Sequence, residues 1–307
     1  MAPGAIYEEA VPAGVTGSKT ATTSTTSTAA EKEQQLTPLE SMAHRANSKP
    51  LPKIPTFTDM AAKRQWQLEH MAGCFRVWAR EGYAEGISGH ISVRDPEFED
   101  RMWINPLGVH YGMLKASDMV CINYMTGEVV GGNMDIPANA AGVQIHSAAH
   151  KRRPDVHAVC HAHSIYGRAY SAFAQPLEML TQDVCNFYNA HSIYRSYGGV
   201  ALAAEEGDNI AKALGDGKAA ILMNHGLLTV GHTVDEAAFQ YMVLERSCKV
   251  QLLVEAAEAN GRLQKKVIGP EEAAYNFKMN SDPETLYFEM QSHLRYEEYL
   301  SGGDYKN

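Results

Sequence analysis

The chain has no surplus of positive charge: 27 Lys and Arg stand against 36 Asp and Glu, a formal charge of −9 over 307 residues. Proteins that grip nucleic acid through its phosphates need a basic footprint, so no nucleic-acid partner is expected. No apolar run reaches the ~18 residues that a membrane helix requires, and no membrane partner is expected. Cysteine is sparse. The five, at 74, 121, 160, 185 and 248, are odd in number and never spaced C-x-x-C, which argues against a disulfide framework and against a cysteine zinc site. The glycine-rich stretch 82–89 lacks both G-x-G-x-x-G and the phosphate-loop pattern, so a nucleotide site has no support. Neither the basic start nor the apolar stretch of a secretory leader is present, and Glu8 and Glu9 precede the first arginine, Arg45, unlike a mitochondrial presequence. The expected compartment is the reducing cytoplasm.

What the chain does have is 45% apolar residues, enough for a sizeable core, and 13 histidines. Residues 1–50 differ from the rest. Ala21–Thr28 is low complexity and Glu31–Gln35 is polar, so this segment is expected to be a disordered tail. From residue 51 to 265, strands and helices alternate in a pattern expected to make one α/β domain; 266–307 reads as a peripheral helical extension. Helical spacing covers 58–80, 138–152, 165–173, 206–214 and 234–258. Short strands are expected at 87–93, 101–105, 119–124, 156–163, 200–202 and 219–223, with a hairpin turn at Thr126-Gly127. Because several early strands are joined by short turns, a mixed or antiparallel sheet fits better than a doubly wound one.

Most of the chemistry lies in the histidines. His161-Ala162-His163 closes the strand 156–163, and residues i and i+2 of a strand face the same way. Alone, such a pair can be two hydrogen-bonded rings. His225, in Asn224-His225-Gly226 just after another apolar strand, changes the reading. Two strands that each end in histidine supply what a three-imidazole metal site with an open position needs. His146 and His150 share a face of the helix 138–152, but the Glu of H-E-x-x-H is missing. His146 fits either a packed or a functional role, and His150 a packed one. His157 is expected to pack, and His191 and His232 to sit in polar loops.

Pro154-Asp155-Val156, Val159, His161–Ser164 and Asn224–Leu228, with Gly89–Arg94 and Asn105–Gly108 upstream, resemble the class II aldolase and adducin head family over about residues 60–260. The resemblance implies a three-layer α/β/α domain around a mostly antiparallel or mixed sheet. It implies one divalent metal on His161, His163 and His225, zinc first and iron(II) as the alternative. It also implies a small-molecule substrate and a homo-oligomer, the family's tetramer. Substrate-binding positions carried over are Ser88, Gly89, His90, Asn105 and Gly108.

The departures are informative. The family's sugar-phosphate aldolases carry Ser-Ser-Glu before a helical His, where this chain has Ala140-Ala141-Gly142. With His90 and Leu107 at two further matching places, four polar phosphate anchors and the acid/base Glu are replaced. A sugar phosphate is therefore not the expected substrate. The stretches 89–96, 180–188 and 231–237 are similar to a branch that includes the non-haem iron oxygenases that form prenylated hydroxybenzoate. The leading expectation is a metal-dependent carbon–carbon lyase, aldolase or decarboxylase, acting on an unphosphorylated hydroxy-carbonyl or keto acid. His146 would replace the lost Glu, with Tyr188 and Asp183 as further catalytic candidates. The alternatives are an iron(II) oxygenase on the same three histidines and a non-catalytic adducin-like interaction protein.

Overall fold

The computed structural model describes residues 36–44, 50–201 and 203–307. The tail expected at 1–50 therefore lies largely outside the described residues. Within its span, however, Pro38–Ser41 forms one helical turn (α1), capped by Thr37 and Glu40, with Leu39 buried.

The remaining elements are α2 (Met60–Arg80), β1 (His90–Arg94), β2 (Arg101–Ile104), β3 (Val120–Asn123), β4 (Val129–Gly132), α3 (Ala140–Arg152), β5 (Ala158–Ala162), α4 (Ile165–Ser171), β6 (His191–Tyr194), α5 (Ala204–Leu214), β7 (Ala219–Leu222), β8 (Gly226–Gly231), α6 (Val234–Glu258), α7 (Pro270–Asn280) and α8 (Pro283–Ser301). The eight strands form one sheet in the order β4-β3-β2-β1-β5-β8-β7-β6. Every pairing is antiparallel except β6 with β7. That exception follows from connectivity, because α5 crosses between them and a parallel pair needs such a crossover.

Strand alternation divides the core in two. Ile91, Cys160, Ala162, Ile221 and Leu227 face one way, onto a layer built from α2, α4, α6 and α8. Val159, Ala220, Leu222, Leu228 and Val230 face the other way, onto Ile145 and Ala149 of α3 and Ile210 and Leu214 of α5. The result is the three-layer α/β/α sandwich around a mixed sheet. No helix among the described residues is long and apolar enough to cross a membrane.

Some elements differ from the expectation. Val200 and Ala201 are not a strand, and Leu202 lies outside the described residues. His191 belongs to β6, an edge strand whose four residues are all half-buried, so it shows no clean alternation. His157 precedes β5 and is exposed rather than packed. The C-terminal helices are not peripheral: Leu286, Met290 and Leu294 of α8 are buried, the last two in the main core beside Tyr305.

Candidate metal centre

β5 and β8 pair so that His161 lies opposite Leu228 and Ala162 opposite Leu227. This register brings the end of β5 beside the turn that opens β8. The turn, 223–225, is a tight hairpin connection from β7 in which Asn224 adopts φ +57°. Asparagine tolerates that left-handed conformation better than most residues. Gly226, the next residue, serves close approach, since a Cβ there would lie 2.7 Å from the Ala162 carbonyl.

The three rings meet at this corner. Centroid separations are 5.0 Å for His161–His163 and 4.8 Å for each of the pairs with His225. One nitrogen from each ring lies within 4.8 Å of the others, as a shared cation requires. His161 Nδ1 donates to the Leu227 carbonyl at 2.9 Å, which leaves its Nε2 lone pair facing His163 Nε2 at 3.1 Å. A backbone carbonyl on the far nitrogen is a familiar way to fix the tautomer of a metal-binding imidazole. Burial is the main force holding all three pKa values below the usual histidine range, His163 at about 4, reinforced for His161 and His163 by the crowding of like rings. The rings are therefore neutral near pH 7, the form that ligates metal.

The triad opens into a chamber of about 340 Å³. Ser88, Gly89 and His90 line it, as do Leu107 and the first residues of α3, Asn139–Ala141. No Lys or Arg is among its lining residues within the described part of the chain. The α3 N-terminus is capped by Asn139 Oδ1, which accepts from Gly142 N at 3.1 Å. Gly89 is obligatory: its φ is +94°, and a Cβ would fall 2.1 Å from the Tyr111 hydroxyl. His90 and residue 142 compete for one space, because a Cβ on Gly142 would lie 2.6 Å from the His90 ring. The missing acid at 142 and the histidine at 90 are thus one steric unit.

Other sequence candidates lie elsewhere. Asn105 is buried and accepts from Ile91 N at 3.3 Å, supporting β1 rather than lining the chamber. Gly108 sits in a left-handed turn, also outside the lining. His146 is fully buried behind His90, with its Nε2 3.2 Å from His90 Nδ1. Asp183 lines a different cavity, with Asn186, Phe239 and Arg246. Tyr188 packs against the main core. The structure does not bring Asp183 or Tyr188 to the triad within this chain.

Two residues with a strong claim on the site were not singled out in the sequence. Glu245 of α6 accepts from Tyr166 N at 2.9 Å and Gly167 N at 2.6 Å, and from the Ser164 hydroxyl. One turn earlier on α6, Tyr241 donates to the Ala162 carbonyl at 2.8 Å. Together they clamp the backbone on both sides of His163. The available signal was a Tyr and a Glu four apart on a helix whose neighbouring positions are apolar.

The α/β/α sandwich with three imidazoles gathered at one corner of its sheet is of the class II aldolase type. The family model for the class II aldolase and adducin N-terminal domain matches residues 69–252. The chain belongs to that family. It is 45% identical over 251 residues to the meiotically up-regulated gene 14 protein of Schizosaccharomyces pombe, covering 82% of this chain and 96% of that one. It is 42% identical over 204 residues to the 4-hydroxy-3-prenylphenylpyruvate oxygenase/4-hydroxy-3-prenylbenzoate synthase of Streptomyces roseochromogenus, covering 66% of this chain and 73% of that one. Among solved structures, an L-fuculose 1-phosphate aldolase from Glaciozyma antarctica superposes with a TM-score of 0.75 at 39% identity, covering 83% and 97% of the two chains.

Proposed function

We propose that the protein is a metal-dependent carbon–carbon lyase, an aldolase or decarboxylase, for a small unphosphorylated hydroxy acid or keto acid. The observation that carries this reading is the convergence of His161, His163 and His225 on one point of an otherwise cation-free chamber. A divalent cation there, zinc in the first instance, would supply Lewis acidity to a substrate carbonyl or hydroxyl oxygen. His161, His163 and His225 would hold it and leave a coordination position toward the chamber.

The chain's own groups favour a carboxylate over a phosphate. The N-terminus of α3 faces the chamber and carries roughly half a positive charge. One carboxylate suits that partial charge, whereas a phosphate dianion would lack a Lys or Arg to balance it. Ala140 and Ala141 also offer no hydroxyl to phosphate oxygens at the start of α3. His90, which lines the chamber and is not one of the three clustered rings, is a group that could accept a proton from substrate and return it to carbon. The apolar rim residues Ile87, Tyr197 and Val200 are exposed and suit an aromatic or aliphatic substrate tail, or cover from a second subunit of a homo-oligomeric tetramer.

A second reading, an iron(II) oxygenase on the same triad, is favoured by the activity for which the Streptomyces relative is named, since that name includes a keto acid. Imidazole is a suitable ligand for iron(II) as well as for zinc, so the donor type does not choose between them. Elemental analysis of untagged protein beside His161→Ala separates the readings. About one zinc per chain, lost in the variant, with anaerobic turnover of keto or hydroxy acids, is the expected result. About one iron per chain with oxygen-dependent turnover would replace the lyase by the oxygenase. No metal after reconstitution would overturn both and leave an adducin-like interaction module.

A further inference from the structure

Behind the chamber wall runs a continuous line of buried polar side chains. His90 Nδ1 is 3.2 Å from His146 Nε2, and His146 Nδ1 is 2.6 Å from Ser92 Oγ. Ser92 Oγ is in turn 2.9 Å from His150 Nε2. All four residues are 3% exposed or less, so no bulk water competes for these bonds. The line has two open ends. His90 Nε2 makes no hydrogen bond among the described residues, and His90 lines the metal chamber. His150 Nδ1 is buried without a hydrogen-bond partner, and His150 lines a separate cavity of about 540 Å³ beside Arg94, Tyr124 and Lys151. Of the three imidazoles His146 is bonded at both nitrogens, to His90 on one side and to Ser92 on the other, while His90 and His150 each keep one nitrogen free at the ends of the line.

Simple packing does not require this order. Histidines buried for structural reasons usually end on a carbonyl or carboxylate, which fixes one tautomer. Here every internal link joins two groups that can each donate or accept. The same helix spacing that places His146 and His150 one turn apart on α3 sets them against His90 and Ser92, two residues apart on β1.

We propose that His90, His146, Ser92 and His150 form a proton relay between the metal chamber and the cavity at the far end of α3. The transfer balances. A proton accepted at His90 Nε2 releases the Nδ1 proton to His146 Nε2. His146 then passes its Nδ1 proton to Ser92 Oγ. The Ser92 hydroxyl proton moves to His150 Nε2, and the His150 Nδ1 proton is released on the side of the cavity that His150 lines, when a water enters to meet that buried nitrogen. One proton enters and one leaves; each ring exchanges tautomer and none retains a charge. The return journey restores the starting state, so a reaction that removes a proton from substrate and later gives one back needs no separate reset. His90 is the member that touches the chamber; His146, Ser92 and His150 act through it. The relay rests on the chamber being a reaction site, but its test requires neither turnover nor metal.

The test is ring-nitrogen NMR on histidine-labelled full-length protein at neutral pH, zinc-free and zinc-loaded, with Ser92→Ala and His150→Gln as variants. The expected result is that His146 and His150 show nitrogen shifts averaged between protonated and unprotonated values in the wild type. In Ser92→Ala each should collapse to a single tautomer. His150→Gln, which can still bond to Ser92 but cannot pass a proton on, should freeze His146 in the same way if Ser92→Ala does not fold. Single, fixed tautomers for His146 and His150 in the wild type, for instance with His150 Nδ1–H held on the nearby Val156 carbonyl, would overturn the relay whatever the metal content. Averaged shifts that persist unchanged in both variants would overturn it as well.

Discussion

Histidines displaced from their ordinary titration go two ways in this chain, according to whether burial or a carboxylate partner dominates. Those that meet apolar walls are held neutral; His150 is pushed down to about 3, by burial first and then by Arg94. His232, bonded to Glu236, is raised instead. Linkage gives the sign for His150. In the unfolded chain it takes up a proton below its ordinary value of about 6.5, whereas the folded chain refuses one until about pH 3. Stability is therefore drained as pH falls from about 6.5 toward 3. His150→Gln removes that contribution, so its unfolding free energy, followed by urea titration, should fall less steeply across that window than the wild type's. An identical slope would mean that His150 is not buried as described. At this scale the clustering of His161 and His163 was legible, because a two-residue period puts them on one face whatever the rest of the fold does. The Ser92 link was not, because its meaning depends on which helix lies over β1.

Elements, rather than single residues, set the precision of the corner. β5 ends at Ala162, and Tyr241 and Glu245 of α6 hold the backbone on either side of His163. Glu245→Gln places an amide N–H₂ against backbone donors that now face a carboxylate. Outer partners of this kind typically change metal affinity by about 10–100-fold. The variant should fold, with a zinc affinity lowered by roughly that factor in a chelator competition. Unchanged affinity would show that β5 and the hairpin suffice. Element types were readable where periodicity ran long, as in α6, whose limits match the sequence reading at Val234–Glu258. β6 and β8 were not identified. β6 is short and half-buried throughout, while β8 is buried throughout, so neither alternates.

For the molecule as a whole, the departure that matters most is the role of the C-terminus. Sequence patterning alone made 266–307 an appendage, because its apolar residues are few and widely spaced. Met290 of α8 is nonetheless fully buried in the main core with residues of α2 and α6. Met290→Ala should cost about 2–5 kcal/mol, the range for a large-to-small change in a packed core. Calorimetry would detect it as a lowered melting temperature of the entire domain in one transition. A separate early transition confined to the C-terminal helices would instead mark them as an independent unit.

The bond from His161 to the Leu227 carbonyl joins positions 66 residues apart, and it exists only when β5 and β8 lie side by side. Closing so long a loop is slow and entropically costly before distant contacts reward it. The corner is thus a late product of folding, not a seed for it. A cation held by His161, His163 and His225 would find its full set of rings only in the paired sheet. Its uptake would mark the moment at which the middle of the sheet has been knitted together.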